Sequence, residues 1–319
     1  MSAVHSETLA ITEQVNIKRK RTLNKYVVIF LFTAPGMLVF LLFLLLPVLQ
    51  SSYYSLYKWN GFGALTSENF VGLANYQRLF NDKIFINAIG HSVTIMLLSL
   101  GIQLPLAMGL ALLVGRGNLP GRRLYRMALF IPFVFSEIIT AIIWLYVLHP
   151  QQGLANLVLG SLIPNFQNIE WLGDREIVLF SIFAVLTWKY FGSHMILYMA
   201  ALQGVPKDLE DAGRIDGASE VQVLRHITLP MMGPTIRLTI FLSVLGAFQQ
   251  FVIIWVMTEG GPVFSSEVMA TYLYKFGIQR YALGYGSAVA VVLFLFTFIF
   301  SIGYQRTIMR QDYSDETLG

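Results

Sequence analysis

Stretches free of Asp, Glu, Lys and Arg recur along the chain, between Lys25 and Lys58, Lys83 and Arg116, Arg237 and Glu259, and Arg280 and Arg306. Each can hold a membrane helix of about 20 residues. Two further intervals, Arg126 to Glu170 and Glu176 to Lys207, are each interrupted by one charge, Glu137 and Lys189 respectively. The pattern predicts six spans, at approximately 26–50, 88–114, 124–148, 178–202, 235–258 and 285–305. They must be helices, because lipid offers no partner to an open strand edge. Pro35, Pro105 and Pro132 fall inside them and read as packing kinks.

Composition agrees. Of 319 residues 55% are hydrophobic and only 13% charged, and the mean hydropathy is +0.62. That is too much apolar surface for a soluble enzyme or a disordered chain. The net charge of +4 does not point to nucleic acid, since the basic residues lie between apolar runs rather than on one polar face. Fifteen of the 22 Lys and Arg fall at the N-terminus, in the loops after spans two and four, and at the C-terminus. The excess predicts that both termini are cytoplasmic. Lys18-Arg19-Lys20-Arg21 precedes an apolar run too long for a signal-peptide core and without a small-x-small cleavage site, so span one reads as an uncleaved anchor. The organisation expected is a basic tail over 1–25, one membrane domain over 26–309 and a short tail over 310–319.

Chemistry is sparse. The absence of Cys excludes disulfides, thiolate catalysis and Cys-ligated metals. No Gly-Lys pair forms a phosphate-binding loop, and no His is followed by Glu as a zinc-protease helix requires. His5, His91, His149, His194 and His226 are scattered, so neither a catalytic nor a metal site is expected. Only Glu137, Lys189 and His194 lie at membrane depth; one buried carboxylate could carry a proton, which leaves an ion-coupled carrier as the rival reading.

The loop over 203–234 is too long for a plain connection. Pro206 suits a first helical position, and Asp208, Glu210 and Asp211 place negative charge against the helix N-terminus. A helix to Ile215, an Asp216-Gly217 turn and a capping box at Ser219-x-x-Gln222 follow. Val221, Leu224 and Ile227 would line one face of the second helix and Pro230 would stop it. The prediction is a rigid helix-turn-helix on the cytoplasmic side.

Asp211-Ala212-Gly213-x3-Gly217-x9-Ile227-x-Leu229-Pro230 resembles the EAA loop of ABC importer permeases, and Arg214-Ile215-Asp216-Gly217-Ala218 its form in the carbohydrate-uptake class, which includes the maltose and glycerol-phosphate permeases. Trp59-Asn60-Gly61, Phe70-Val71-Gly72-Leu73-x-Asn75-Tyr76, Gly153-Leu154-x-Asn156, Thr258-x-Gly260-Gly261-Pro262 and Gly284-Tyr285-Gly286 resemble, in order, that family's external loops. Asp211 and Gly213 stand where the family has Glu and Ala, and Gly weakens a helix by about 1 kcal/mol. The resemblance implies an all-α integral membrane permease of the bacterial or archaeal cytoplasmic membrane. Its loop would be a coupling helix docking on a dimer of cytoplasmic ATP-binding subunits, which hold the ATP and Mg; this chain would hold no cofactor. A second, homologous permease and an extracytoplasmic solute-binding protein would complete the importer.

A sugar site needs hydrogen-bonding side chains and flat aromatic faces at mid-membrane. Trp188, Lys189, Tyr190 and Ser193 in span four, and Gln249 and Gln250 between Phe248 and Phe251 in span five, supply both; by resemblance they occupy positions of sugar contacts in the maltose permease. Glu137 lies about 20 Å along span three and Lys189 about 17 Å along span four, so the two charges are expected either to pair or to face a wet cavity; a pair would fix helix register or hold Lys189 toward the ligand.

Overall fold

The computed structural model describes residues 25–116 and 120–309. The basic run at Lys18 to Arg21 and the tail over 310–319 lie outside the described residues. No strand occurs among the described residues; an isolated bridge pairs Tyr57 with Phe70. Contacts divide the chain at Tyr54 and Ser55 into two units. The first contains helix α1 (Lys25–Tyr54), whose apolar side chains are exposed on every side, as a lipid-facing helix requires.

The second unit holds α2 (Ala74–Asn81), α3 (Lys83–Gly115), α4 (Arg122–Val134), α5 (Glu137–Val147), α6 (Leu154–Leu162) and α7 (Val178–Gln203). It continues through α8 (Lys207–Ile215), α9 (Glu220–Met231), α10 (Gly233–Gln249), α11 (Val252–Thr258), α12 (Met269–Tyr272) and α13 (Leu283–Met309). Among the described residues three helices, α1, α3 and α13, are long and apolar enough to cross a membrane. The bent pairs α4 with α5 and α9 with α10 bring the candidates to five. Helix α7 has 26 residues but is diluted by Trp188, Lys189, Tyr190, Ser193 and His194. It is the central helix: more than half of it is buried, and α3, α4, α5, α10 and α11 pack around it.

Pro105 and Pro230, expected to interrupt or stop helices, do not, and Pro47 shares their arrangement. Pro47, Pro105 and Pro230 each come two residues after a five-residue π turn, at Leu41–Leu45, Ser99–Gln103 and Leu224–Thr228. In each case the intervening Leu donates its N–H to the carbonyl five residues back. The extra residue absorbs the strain of a ring that lacks a donor and would collide with the carbonyl four residues earlier. So α9 runs through Pro230 to Met231 before the chain bends by 70° into α10.

Pro132 behaves differently, because α4 ends two residues later. Phe135 and Ser136 are extended, with ψ of 148° and 154°, and α5 leaves at 101° to α4. Ser136 caps α5 by accepting from the Ile139 amide. The continuous span expected over 124–148 is therefore broken. That expected over 235–258 is broken too, at Gln250 (ψ 122°) and Phe251 (φ −136°, ψ −62°). At the far end of α3, Arg122 and Arg126 donate to the Gly115 carbonyl and Arg126 also to Val114, cations placed against a helix C-terminus.

The resemblance motifs outside the spans form its scaffold. Asn75 Nδ2 donates to the Ser55 and Tyr57 carbonyls, and Asn156 joins the Pro150 and Ile169 carbonyls to the Trp171 indole. Gly260, at φ +81°, passes so close to buried Glu267 that a Cβ would lie 2.4 Å from its Oε2, the oxygen that meets Lys275 Nζ at 2.7 Å. Only a residue without a side chain lets the loop close over that ion pair.

Candidate functional site: a cavity between two helix breaks

A cavity of about 660 Å³ lies among α3, α4, α5, α7, α10 and α11, beside both breaks. Five residues expected from the sequence, Glu137, Tyr190, Ser193, Gln249 and Gln250, line it. Trp188 and Lys189 do not. Trp188 stacks on Phe135, with planes 9° apart, and meets Trp144 edge-on, so it packs against the break instead.

The expected Glu137–Lys189 ion pair does not form. Lys189, 4% exposed, donates to the carbonyls of Phe133 at 2.8 Å, Pro132 at 3.3 Å and Phe135. An ammonium has three donors, and here three acceptors left over at the end of α4 take them. The cation also complements the helix C-terminus and sits 5.5 Å from the centre of the Phe133 ring. Glu137 instead opens α5, where the helix dipole favours negative charge, and its Oε1 accepts from the Tyr190 hydroxyl. Tyr190 and Gln250, from the two breaks, line the same cavity. Adjacent residues of α7 thus hold both sides of the α4–α5 break.

Sequence reasoning missed four polar lining residues: Ser99, Gln103, His194 as a lining group, and Ser243. His194 Nδ1 and Ser243 Oγ are buried without a partner. The signal was present, since uncharged polar residues inside apolar spans are costly unless matched.

The loop over 203–234 forms the helix-turn-helix α8–α9. Pro206 is the residue before α8 rather than its first, and Asp208 and Glu210 occupy the first turn. Ala218 N–H bonds Gly213 O and Gly217 N–H bonds Arg214 O, closing α8 in a Schellman motif with Gly217 at φ +87°. The capping box at Ser219 and Gln222 opens α9. Arg214 bridges the turn, donating to both oxygens of Glu220 and to Asp211. Glu220, then Asp211, raise the guanidinium pKa further above its ordinary range, and Arg214 lowers that of Glu220.

Glu210 does more than place charge at the α8 N-terminus: it is 4% exposed and accepts from Thr228 Oγ1, tying α8 to α9. Gly213 does more than weaken a helix, since a Cβ there would stand 2.8 Å from Ile227 Cδ1 and the two helices cross at that point. Val221 does not face the core: it is 72% exposed, and Val223 is buried in its place. Ile215, 85% exposed, lies on the same loop. Of the other expected loop residues, Ala212 receives the Asp216 amide, and Leu229 closes the π turn before Pro230.

A family model described as "binding-protein-dependent transport system inner membrane component" matches residues 14–311. The chain belongs to this family. It is similar to the arabinooligosaccharides transport system permease protein AraP of Halalkalibacterium halodurans, 32% identical over 88% of this chain and 87% of that one. It is also similar to the diacetylchitobiose uptake system permease protein NgcF of Streptomyces coelicolor, 29% identical over 89% of this chain and 83% of that one. In fold it matches a chain of a bacterial ABC transporter involved in the import of the acidic polysaccharide alginate, with TM-score 0.79 at 22% identity, over 91% of this chain and 98% of that one. It is an integral membrane permease of ABC type.

Proposed function

We propose that this chain is one of two permease subunits of an ATP-driven sugar or oligosaccharide importer in a bacterial or archaeal cytoplasmic membrane. The observation that carries this reading is the cavity between two broken helices, lined by amide, hydroxyl and carboxylate groups beside aromatic rings. Broken helices at membrane depth are tolerated where they line a cavity, and such breaks are where transporters bind cargo. The cargo class follows from relatives named for arabino-oligosaccharides and diacetylchitobiose.

Six spans result when α4–α5 and α10–α11 each count once beside α1, α3, α7 and α13, with both termini cytoplasmic by the Lys and Arg distribution. The α8–α9 loop is then cytoplasmic and offers Ile215 and Val221 to a separate ATP-hydrolysing subunit, which holds the ATP and Mg. Its place in the chain supports a coupling role. It joins α7, which carries Tyr190, to α10, which carries Gln249 and precedes Gln250, so displacement of one rigid element moves two walls of the cavity. A solute-binding protein outside would deliver cargo, and the second permease would supply the other half of the pathway.

The test is reconstitution of the complete complex in vesicles with a panel of saccharides. Uptake should require ATP hydrolysis by the partner, persist with proton uncouplers, and coincide with ligand-stimulated ATPase activity. Accumulation driven by a proton gradient through this chain without ATP would establish the ion-coupled carrier instead.

A further inference from the structure

We infer that the cavity beside Glu137 admits uncharged and amino-bearing saccharides and turns away those carrying carboxylate, sulfonate or phosphate. The inference rests on the reading of the cavity as a sugar pathway and adds the charge of its cargo.

Glu137 is the one acidic or basic side chain (Asp, Glu, Lys or Arg) among the residues lining the cavity. Its Oε1 accepts from Tyr190, while among the described residues Oε2 receives no donor. A carboxylate oxygen facing a cavity accepts readily from a sugar hydroxyl and more strongly from an ammonium, because a hydrogen bond between charged partners is about twice as strong as a neutral one.

The cation that could reverse this preference is withdrawn. Lys189 is at matching depth, but its three donors are spent on Pro132, Phe133 and Phe135, and it does not line the cavity. Releasing it toward an anion would strand buried carbonyls, a cost an incoming carboxylate would have to exceed. The remaining polar lining is neutral and adaptable: Gln103, Gln249 and Gln250 each carry donor and acceptor, and buried Ser243 has no protein partner. Phe130 and Phe251 offer flat apolar faces to the C–H side of a pyranose. An anionic cargo would therefore meet the like charge of Glu137 in a site of low dielectric with no Lys or Arg in the lining to receive it, whereas a polyol would meet both acceptors and donors.

The experiment measures equilibrium binding to the whole transporter in nanodiscs, without its solute-binding protein, so that the delivery protein's own selectivity does not enter. Three disaccharides serve as probes: di-glucosamine, N,N′-diacetylchitobiose and digalacturonate. The expected order is di-glucosamine tightest and digalacturonate weakest, with about tenfold or more between them at low salt. Glu137→Gln, which keeps an acceptor for Tyr190, should bring the three within about threefold, chiefly by weakening the amino sugar and admitting the acid. Glu137→Asp should keep the wild-type order, so the assignment does not depend on one variant folding. Equal binding of digalacturonate and diacetylchitobiose by the wild type overturns the inference. So does an order unchanged by Glu137→Gln. Binding of none of the three, in a complex whose ATPase still responds to its binding protein, removes the saccharide reading itself and this inference with it; the other two results leave that reading standing.

Discussion

The Lys189 ammonium donates to the Phe133 carbonyl at 2.8 Å, across 56 residues of sequence, and in doing so caps the end of α4 at the break. A lysine in that position is structural support for the cavity wall rather than part of its lining. Lys189→Met should therefore lower the thermal stability of the purified transporter, each orphaned buried carbonyl costing about 1–3 kcal/mol. Glu137→Gln should leave stability near wild type, because Tyr190 keeps an acceptor. The double variant should be as unstable as Lys189→Met alone. If Glu137→Gln restores the melting temperature lost with Lys189→Met, the two charges act as a pair and the capping account is wrong.

The turn between α8 and α9 depends on Gly217, whose positive φ and amide both enter the Schellman closure. Gly217→Pro abolishes both and should uncouple the transporter, leaving ATP hydrolysis without uptake at normal expression. Gly217→Ala keeps the amide and strains only φ, at about 1 kcal/mol, so partial uptake is expected. Measuring uptake per ATP hydrolysed checks both, and normal coupling in the Pro variant would make the loop a passive connector.

Buried Glu210 fastens α8 to α9 through Thr228. Glu210→Ala should loosen the pair and lower the ratio of substrate moved to ATP consumed, whereas Glu210→Gln, which retains an acceptor, should keep most of it. Amide exchange over 207–231 reports the same loosening directly: faster exchange is expected in the Ala variant, and unchanged protection would show that the contact does not hold the helices together.

Gly260→Ala would push a methyl into Glu267 and separate it from Lys275. Breaking a buried pair on one side costs about 3–5 kcal/mol, enough to reduce assembled protein sharply. Gly109→Ala, in α3, meets nothing within 4 Å and should be neutral or slightly stabilising. Yields and melting temperatures of the two variants, compared side by side, test whether the loop at Gly260 is packed as tightly as described.

The residues alone determined what depends on neighbours within about one helical turn. The apolar runs, the Asp216-Gly217 turn, the Ser219 and Gln222 capping box and the acidic first turn of α8 are all local arrangements, so the sequence spelled them out. The cavity was half legible: Glu137, Tyr190, Ser193, Gln249 and Gln250 stood out as polar groups at membrane depth. Depth, however, fixes one coordinate of a side chain on a helix, and its direction around the axis is set by what packs there. Glu137 and Lys189 were therefore matched in height yet found other partners. Tertiary packing alone decided that α4 ends at Val134 and frees the carbonyls Lys189 takes, and that α9 keeps Pro230 inside it by a π turn. It also turned Val223 inward and Val221 outward. The energies of these choices come from carbonyls, rings and methyl groups brought together from 50 or more residues away, or shifted by one inserted residue, and no pattern within a single segment encodes them.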